Sequence, residues 1–325
     1  MKKSFARMKM ALSAFLLVSA GCGEDKGNGP VEPEPFNEAV ITFYMTSPLP
    51  AGFEFELWAK AVDTSLSLST PVWVPLTRFN LNSSGGLLDS NGTAIAGNRV
   101  KNLPVDLDDY DSLQVTIEQT SSHVAVPSQQ VFLRSSIPPD LTTSHLPRLV
   151  FPHSFGQGTS YFMMFSPTDT DTADELSGLW FVYRYPPGDL DSGLTLPPAP
   201  VGWLYEGWVR HGASWLSTGR FRRSVGGDLN NPYCGVGVKP AFPGEDFVQN
   251  APPGVGFSFP FEVTAGDKVR VTLEPDLDSG TGTFGVDLLT YTFGSLIVPM
   301  NLLPLEWSPE QDYPLATMDI QQAGL

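Results

Sequence analysis

The sequence has few of the side chains that carry covalent or metal chemistry. It contains two cysteines and four histidines in 325 residues. No histidines show the His-x-His or His-Glu-x-x-His spacing of a zinc site, and none is next to a cysteine. The Gly-x-Ser-x-Gly turn of many serine hydrolases is absent, as is a glycine-rich phosphate loop. The sequence therefore predicts no catalytic residue, no cofactor and no metal.

Uninterrupted helical stretches are also missing, because 30 prolines and 31 glycines divide the chain into short segments. Between them lie apolar or alternating runs such as 40–44, 113–117, 179–183 and 269–273. Such runs, bounded by Pro, Gly, Asn and Asp, are typical of β-strands. We therefore expect an all-β fold made of two tandem β-sandwich-like domains behind a flexible linker.

Positive charge is scarce. The chain has 19 Lys and Arg against 35 Asp and Glu, a net charge of −16. Removal of residues 1–21 would take away four basic residues, so that 15 remain against 35 acids and the net charge becomes −20. An acidic surface of this kind repels nucleic acid, which we exclude as a partner.

The N-terminus has the parts of a secretory signal peptide, predicted over residues 1–21. Four basic residues precede an apolar run, 10–20, which is shorter than the roughly 20 residues that span a bilayer. The following Ser19-Ala20-Gly21-Cys22 resembles a bacterial lipobox, although Ser19 stands where that motif usually has Leu. The resemblance implies lipid attachment at Cys22 and a membrane-anchored, extracytoplasmic protein. Gly23 in place of Asp implies the outer membrane, at its periplasmic face or at the cell surface. The alternative is an ordinary signal peptide with a chance cysteine.

An internal repeat organises the rest of the chain. Leu49-Pro50-Ala51-Gly52-Phe53-Glu54-Phe55-Glu56-Leu57-Trp58 returns as Ala199-Pro200-Val201-Gly202-Trp203-Leu204-Tyr205-Glu206-Gly207-Trp208, each followed by an Arg-Phe pair. The residues that we assign to the structural motif are Gly52, Glu56, Trp58 and Arg78 in the first copy and Gly202, Glu206, Trp208 and Arg220 in the second. The Gly forms a turn into a strand, the Trp is expected in the core, and the Glu is expected to pair with the Arg.

The repeat sets the predicted domain boundaries. The lipidated cysteine and linker cover 22–37, the first β-sandwich domain 38–137, a connection 138–157 and the second domain 158–298. The tail, 299–325, is expected to pack on the second domain. Cys234 is expected to be a small buried hydrophobe without a disulfide partner.

These markers resemble the extracytoplasmic C-terminal domain of anti-sigma-K-type factors. The second copy matches that pattern better, through 196–208, Gly219-Arg220-Phe221 and Val271-Thr272-Leu273-Glu274-Pro275; the first has Gln119 where the last Pro would be. The resemblance implies an envelope-facing β domain for sensing or interaction. Sigma-factor binding does not carry over, since the chain shows neither the cytoplasmic helical segment nor the transmembrane helix of that family.

We therefore expect a non-catalytic binding or interaction module whose partner is an envelope protein or a glycan. The alternative is a carbohydrate-binding protein that stacks sugars on Trp73, Trp203 or Trp215. A glycosidase with a pair of acids is a lesser alternative. Two acidic clusters, Asp169–Glu175 and Asp106–Asp111, contain alternating oxygen ligands but lack the EF-hand pattern, and calcium is not expected to be structurally required.

Overall fold

The structure is a computed structural model, and it describes residues 34–61, 72–122, 124–139, 141, 146–156, 158–171, 173–184, 188–276, 284–309 and 313–324. The predicted signal peptide, the predicted lipidation site Cys22 and the predicted linker up to residue 33 lie outside the described residues. Within them the predicted all-β class is confirmed. The helical segments are single 3-10 turns at Ala96–Asn98, Leu107–Asp109 and Glu175–Ser177.

The strands are numbered in chain order. The first half contributes β1 (Glu38–Tyr44), β2 (Phe53–Ala61), β3 (Val72–Leu81), β4 (Leu87–Leu88), β5 (Arg99–Val100), β6 (Ser112–Gln119), β7 (Val131–Ser136) and β8 (Arg148–Val150). The second half contributes β9 (Ser160–Met164), β10 (Gly178–Trp180), β11 (Val182–Arg184), β12 (Leu190–Ser192), β13 (Trp203–His211), β14 (Ser214–Phe221), β15 (Gly244–Asp246), β16 (Lys268–Pro275), β17 (Val286–Thr292) and β18 (Leu302–Trp307). The last strand is β19 (Leu315–Gln321).

Two antiparallel sheets hold one repeat each, in agreement with the prediction of two sandwich-like units. The first has the order β4-β3-β2-β6-β7-β8-β19-β1-β5, and the second has the order β14-β13-β16-β17-β18-β9-β10-β15. Strands β11 and β12 form a small ribbon beside them. The two repeat strands, β2 and β13, are therefore interior strands with a long partner on either side.

The predicted placement of the tail is wrong for its last strand. Strand β18 pairs with β17 and β9 in the second sheet, as expected for a tail that packs on the second domain. Strand β19 instead lies between β1 and β8 in the first sheet. Its alternate residues Ala316, Met318 and Ile320 are buried. This alternation matches a strand in a sheet with one buried face, and between β1 and β8 the buried residues of β19 join the core.

The two sheets share one continuous hydrophobic core. The Phe132 ring lies 6.3 Å from that of Phe284, and the Phe151 ring lies 6.1 Å from that of Trp203. Aromatic pairs at such distances add packing energy beyond their buried area. Residues from Pro35 to Leu325 accordingly form one compact unit.

Candidate binding site

The two repeats have the same strand pairing in atomic detail. Glu56 lies opposite Arg78 across β2 and β3, and Glu206 lies opposite Arg220 across β13 and β14. In both repeats the register of this pairing shifts immediately before the motif Trp, between Leu57 and Trp58 and between Gly207 and Trp208. A β-bulge of this kind re-aims the side chain that follows it. The sequence repeat therefore corresponds to a repeated structural device.

Each motif Trp is buried and donates a hydrogen bond to a threonine on the neighbouring strand. Trp58 Nε1 lies 2.8 Å from Thr116 Oγ1, and Trp208 Nε1 lies 3.0 Å from Thr272 Oγ1. The threonine hydroxyl then donates to a glutamate two residues further along its own strand. These distances are 2.6 Å from Thr116 to Glu118 and 2.5 Å from Thr272 to Glu274.

The sequence contains a signal for this Trp–Thr–Glu chain, a repeated segment that marks both copies but that the sequence analysis does not assign as the partner of the Trp. A Val-Thr-x-Glu segment occurs in both copies, at 115–118 and at 271–274. Residues two apart on a strand share a face, so the Thr and the Glu meet on the side of the sheet that carries the Trp. The partner of the buried indole could therefore have been predicted from the repeat.

The predicted ion pairs are present in both repeats. Arg78 contacts Glu56 at 2.9 Å and also Glu54 at 2.8 Å. Arg220 Nε donates to Glu206 at 2.9 Å, and Ser217 Oγ donates to the same carboxylate at 2.6 Å. All of these acids are almost fully buried. Burial raises the pKa of Glu56 in spite of Arg78 beside it.

Glu274 loses most of its hydration. Its Oε2 has no hydrogen-bond partner among the described residues, and a side chain on Gly285 would collide with the carboxyl group. Burial raises the pKa of Glu274 to about 8. The equivalent Glu118 also accepts the backbone N–H of Ser128 at 2.8 Å. Glu274 is therefore expected to be protonated at neutral pH.

A groove of about 540 Å³ opens beside the Glu206–Arg220 pair. Its apolar wall consists of Trp215, Pro232, Tyr233, Pro252, Pro253 and Val255. Polar groups from Glu206, Ser217, Arg220 and Asn230 complete the lining. A concave site with aromatic walls and a few convergent polar groups is the usual form of a ligand site.

The groove exists because β14 is the last strand of its sheet. In the first repeat the equivalent strand β3 is followed by β4, which pairs with Asn80 and Leu81. The segment after β4 adds Ser90, whose hydroxyl donates to Glu54 at 2.9 Å. Strand β4 therefore pairs with the end of β3 beyond Arg78, whereas in the second repeat the backbone N–H of Leu229, in the loop after β14, bonds to the Arg220 carbonyl.

The three tryptophans proposed as sugar platforms differ in exposure. Trp203 is fully buried, which excludes the stacking role expected for it; its ring packs against Phe151 in the core. Trp73 and Trp215 are partly exposed and hold equivalent positions, each five residues before the motif Arg. Trp215 lies 4.1 Å from the guanidinium carbon of Arg270, a cation–π contact.

The acidic clusters weighed as calcium sites cap their own loops. Asp106 Oδ1 accepts the N–H of Phe36 at 3.1 Å and that of Asp108 at 3.2 Å. Asp169 and Asp171 each accept a backbone N–H two residues further on. In the part of the chain that the structure describes, no three His, Cys, Asp or Glu side chains are grouped to hold a metal ion. Burial and the neighbouring acids raise the pKa of Asp174 to about 6.

Two further acids, Glu245 and Asp246, are buried in strand β15 itself. Asp246 accepts hydrogen bonds from Trp180 Nε1 at 2.6 Å and from the Thr168 hydroxyl at 2.5 Å. Burial raises the pKa of the adjacent Glu245 to about 7. It also raises the pKa of the Cys234 thiol, which is buried beside Glu245, so this cysteine is not an activated nucleophile.

The described residues contain no helix long and apolar enough to cross a membrane. Cys22, the predicted lipidation site, lies outside them. The chain matches no known protein-family model, no curated protein and no solved structure.

Proposed function

We propose that this protein is a lipid-anchored extracytoplasmic binding module, held at the outer membrane through Cys22, whose β body captures an envelope partner. The observation that carries the proposal is the groove beside Trp215, at the edge strand β14, where aromatic walls surround a few convergent polar groups.

We also propose that the groove is non-catalytic. Glu206 is the carboxylate among its lining residues, and Arg220 and Ser217 hold it in an ion pair and a hydrogen bond. A pair of catalytic acids needs a second carboxylate close by, and the groove lining contains none besides Glu206.

The anchor can be tested by cell fractionation. Cys22→Ser should move the protein from the membrane fraction to the soluble fraction, because one or more acyl chains stabilise membrane binding by about 0.8 kcal/mol per buried CH₂. Cys234→Ser, which changes the other cysteine, should remain with the membrane. The anchor is excluded if Cys22→Ser still sediments with membranes and the wild type takes up no labelled fatty acid.

The groove can be tested in the full chain with a photo-crosslinking phenylalanine derivative at position 215. The matched control places the same residue at Val236, which is fully exposed and outside the groove. A defined crosslinked species from position 215 and none from position 236 supports a protein partner in the groove. Identical products from both positions, or none from position 215, would contradict it.

Carbohydrate binding is a second candidate, favoured by the partial exposure of Trp73 and Trp215. A glycan partner gives no crosslinked protein. Instead, the wild-type protein should retain the bound glycan, and the Trp215→Ala variant should not bind it. This readout separates the two candidates for the groove.

A further inference from the structure

A second concave surface lies on the first sheet, at the end remote from the Glu54–Arg78 pair. Four residues directly opposite one another on adjacent strands form one row across β3, β2, β6 and β7: Trp73, Lys60, Ser112 and Ser136. Opposed residues of antiparallel strands share a face, and Arg134, two residues before Ser136, shares it too. With Ser135 these residues line a pocket of about 410 Å³, here called the Trp73 pocket.

The Trp73 pocket concentrates positive charge in an acidic protein. Lys60 Nζ lies 5.7 Å from the centre of the Trp73 ring, and Arg134 is exposed on the adjoining wall. Among the described residues neither cation forms an ion pair. Two unpaired cations in one pocket favour an anionic group on whatever binds there.

The equivalent face of the second repeat shows a different arrangement. There the row is Trp215, Arg210, Lys268 and Thr292, so the aromatic residue and the cation beside it recur, but a second cation, Lys268, stands where the first repeat has Ser112. In that repeat Arg270, beside Trp215, is paired with Asp287 at 3.2 Å. Its counterpart in the first repeat is Gln114, which is uncharged.

We propose that the Trp73 pocket binds a saccharide that carries a carboxylate. The indole of Trp73 offers an apolar surface for the C–H face of a sugar ring, and Arg134 and Lys60 offer charged donors for its carboxylate. Ser112 already donates its hydroxyl to Asp111 at 2.6 Å, so its oxygen is left to accept from a sugar hydroxyl. The pocket volume lies within the range of small-molecule sites.

The overall charge decides between anionic ligands. A net charge of −20 after signal removal repels an extended polyanion such as a nucleic acid over a distance of about one Debye length, roughly 8–10 Å. A short acidic oligosaccharide can place one carboxylate against two cations at contact distance, and its few charges meet less of that repulsion than those of a polyanion. The inference rests on the carbohydrate-binding candidate, but the pocket is separate from the groove beside Trp215, so variants at Trp73 and at Trp215 test the two sites separately.

Calorimetric titration of the purified protein with a trisaccharide of galacturonic acid tests the proposal, with the carboxyl-reduced trisaccharide as the neutral probe. The acidic trisaccharide should bind, and the neutral trisaccharide should bind at least about tenfold more weakly. Arg134→Gln and Trp73→Ala should each weaken binding about tenfold or more without lowering the melting temperature. Arg223→Gln, another exposed arginine, and Trp215→Ala, the equivalent tryptophan of the second repeat, should leave affinity unchanged.

Four results would overturn the proposal. If the neutral trisaccharide bound as tightly as the acidic one, the cations would not contribute to recognition of the carboxylate. Equal weakening by Arg134→Gln and Arg223→Gln would show a diffuse charge effect rather than a site. Tighter binding of adenosine monophosphate or inorganic phosphate than of the acidic sugar would replace the saccharide by a phosphate ligand, and no binding of any probe would exclude the site.

Discussion

A buried indole N–H is costly to leave without a hydrogen-bond partner, and for the motif Trp of both repeats a threonine hydroxyl supplies one. Trp58 and Trp208 are among the largest fully or nearly fully buried side chains of the protein. The hydrogen bonds to Thr116 and Thr272 fix each ring in one orientation against its sheet. A buried polar atom without such a partner costs about 1–3 kcal/mol, so the threonine is part of what allows Trp at this position.

Trp58→Ala and Trp208→Ala should each lower the free energy of unfolding by about 3–5 kcal/mol, the range for removal of a large buried aromatic. Both changes leave a cavity and a threonine hydroxyl that has lost its donor. Urea denaturation followed by circular dichroism measures the effect. Trp73→Ala, a partly exposed tryptophan on the same sheet as Trp58, is the matched control and should cost clearly less. Near-unchanged stability in both motif variants would contradict the core assignment.

The buried carboxyls predict a stability that falls as pH rises. The folded-state pKa of Glu274 is about 8, against an ordinary value of 4.5, so between these values the folded state binds a proton that the unfolded state has lost. Stability from this group is fully present below pH about 4.5 and is lost as the pH rises to about 8. Glu245, with a pKa of about 7, acts in the same direction.

Glu274→Gln should flatten this dependence, because glutamine is neutral at every pH and has the same shape. The difference between a pKa of 4.5 and one of about 8 corresponds to about 5 kcal/mol, which is an upper bound for the stability lost through this group between those pH values. Melting temperatures measured across that range provide the test. Glu306→Gln, at an exposed acid, should keep the wild-type dependence. A wild-type protein that becomes more stable from pH 5 to 8 would contradict the assignment.

At the scale of the element, the Pro-x-Gly turn before each repeat strand has the same backbone conformation in both copies, but the residues around the two turns differ. Gly52 and Gly202 have φ values of +95° and +85°, a region that side chains with a Cβ rarely adopt. A Cβ on Gly52 would meet nothing within 4 Å. A Cβ on Gly202 would lie 2.7 Å from the backbone carbonyl of Gln129, in the segment before β7. The second turn therefore docks against the first repeat.

Gly52→Ala and Gly202→Ala form a matched pair that separates backbone strain from packing. Gly52→Ala should cost about 1–2 kcal/mol, the penalty for a left-handed residue with a Cβ. Gly202→Ala should cost about 1–3 kcal/mol more, because the methyl group also displaces Gln129. Urea denaturation of both variants measures the difference. Equal losses of stability in the two variants would show that Gln129 moves aside without a cost in free energy.

At the scale of the whole molecule, the shared core and strand β19 join the two sheets. The Gln130 side-chain amide donates to the carbonyl of Gly202 at 3.0 Å, next to the aromatic contacts between the halves. Strand β19 follows β18 of the second sheet and completes the first by pairing with β1 and β8. We therefore expect the two repeats to unfold in one cooperative transition.

Met318→Ala tests this coupling, since Met318 is fully buried on β19. The substitution should lower the free energy of unfolding by about 2–5 kcal/mol. Hydrogen exchange followed by mass spectrometry should show faster exchange in peptides from both β2 and β13, because both depend on the same transition. Thr317→Ala, which changes the neighbouring residue on the less buried face of β19, is the control. Faster exchange confined to β2 would show that the sheets unfold separately.

The sequence by itself determined the all-β class, the duplicated motif and its Glu–Arg pairs, because alternation, turn chemistry and a repeat in register are local signals. Tertiary structure alone decided the place of β19, because its alternating pattern of buried and exposed residues would suit a strand of either sheet. The pairing with β1 and β8 in the first sheet is a property of the folded chain. It also decided that Trp203 is buried while Trp73 and Trp215 are partly exposed, because exposure depends on strands and loops far away in the chain. The groove beside Trp215 and the raised pKa of Glu274 have the same origin. Both depend on which distant residues exclude water from a given side chain, and sequence spacing carries no such information.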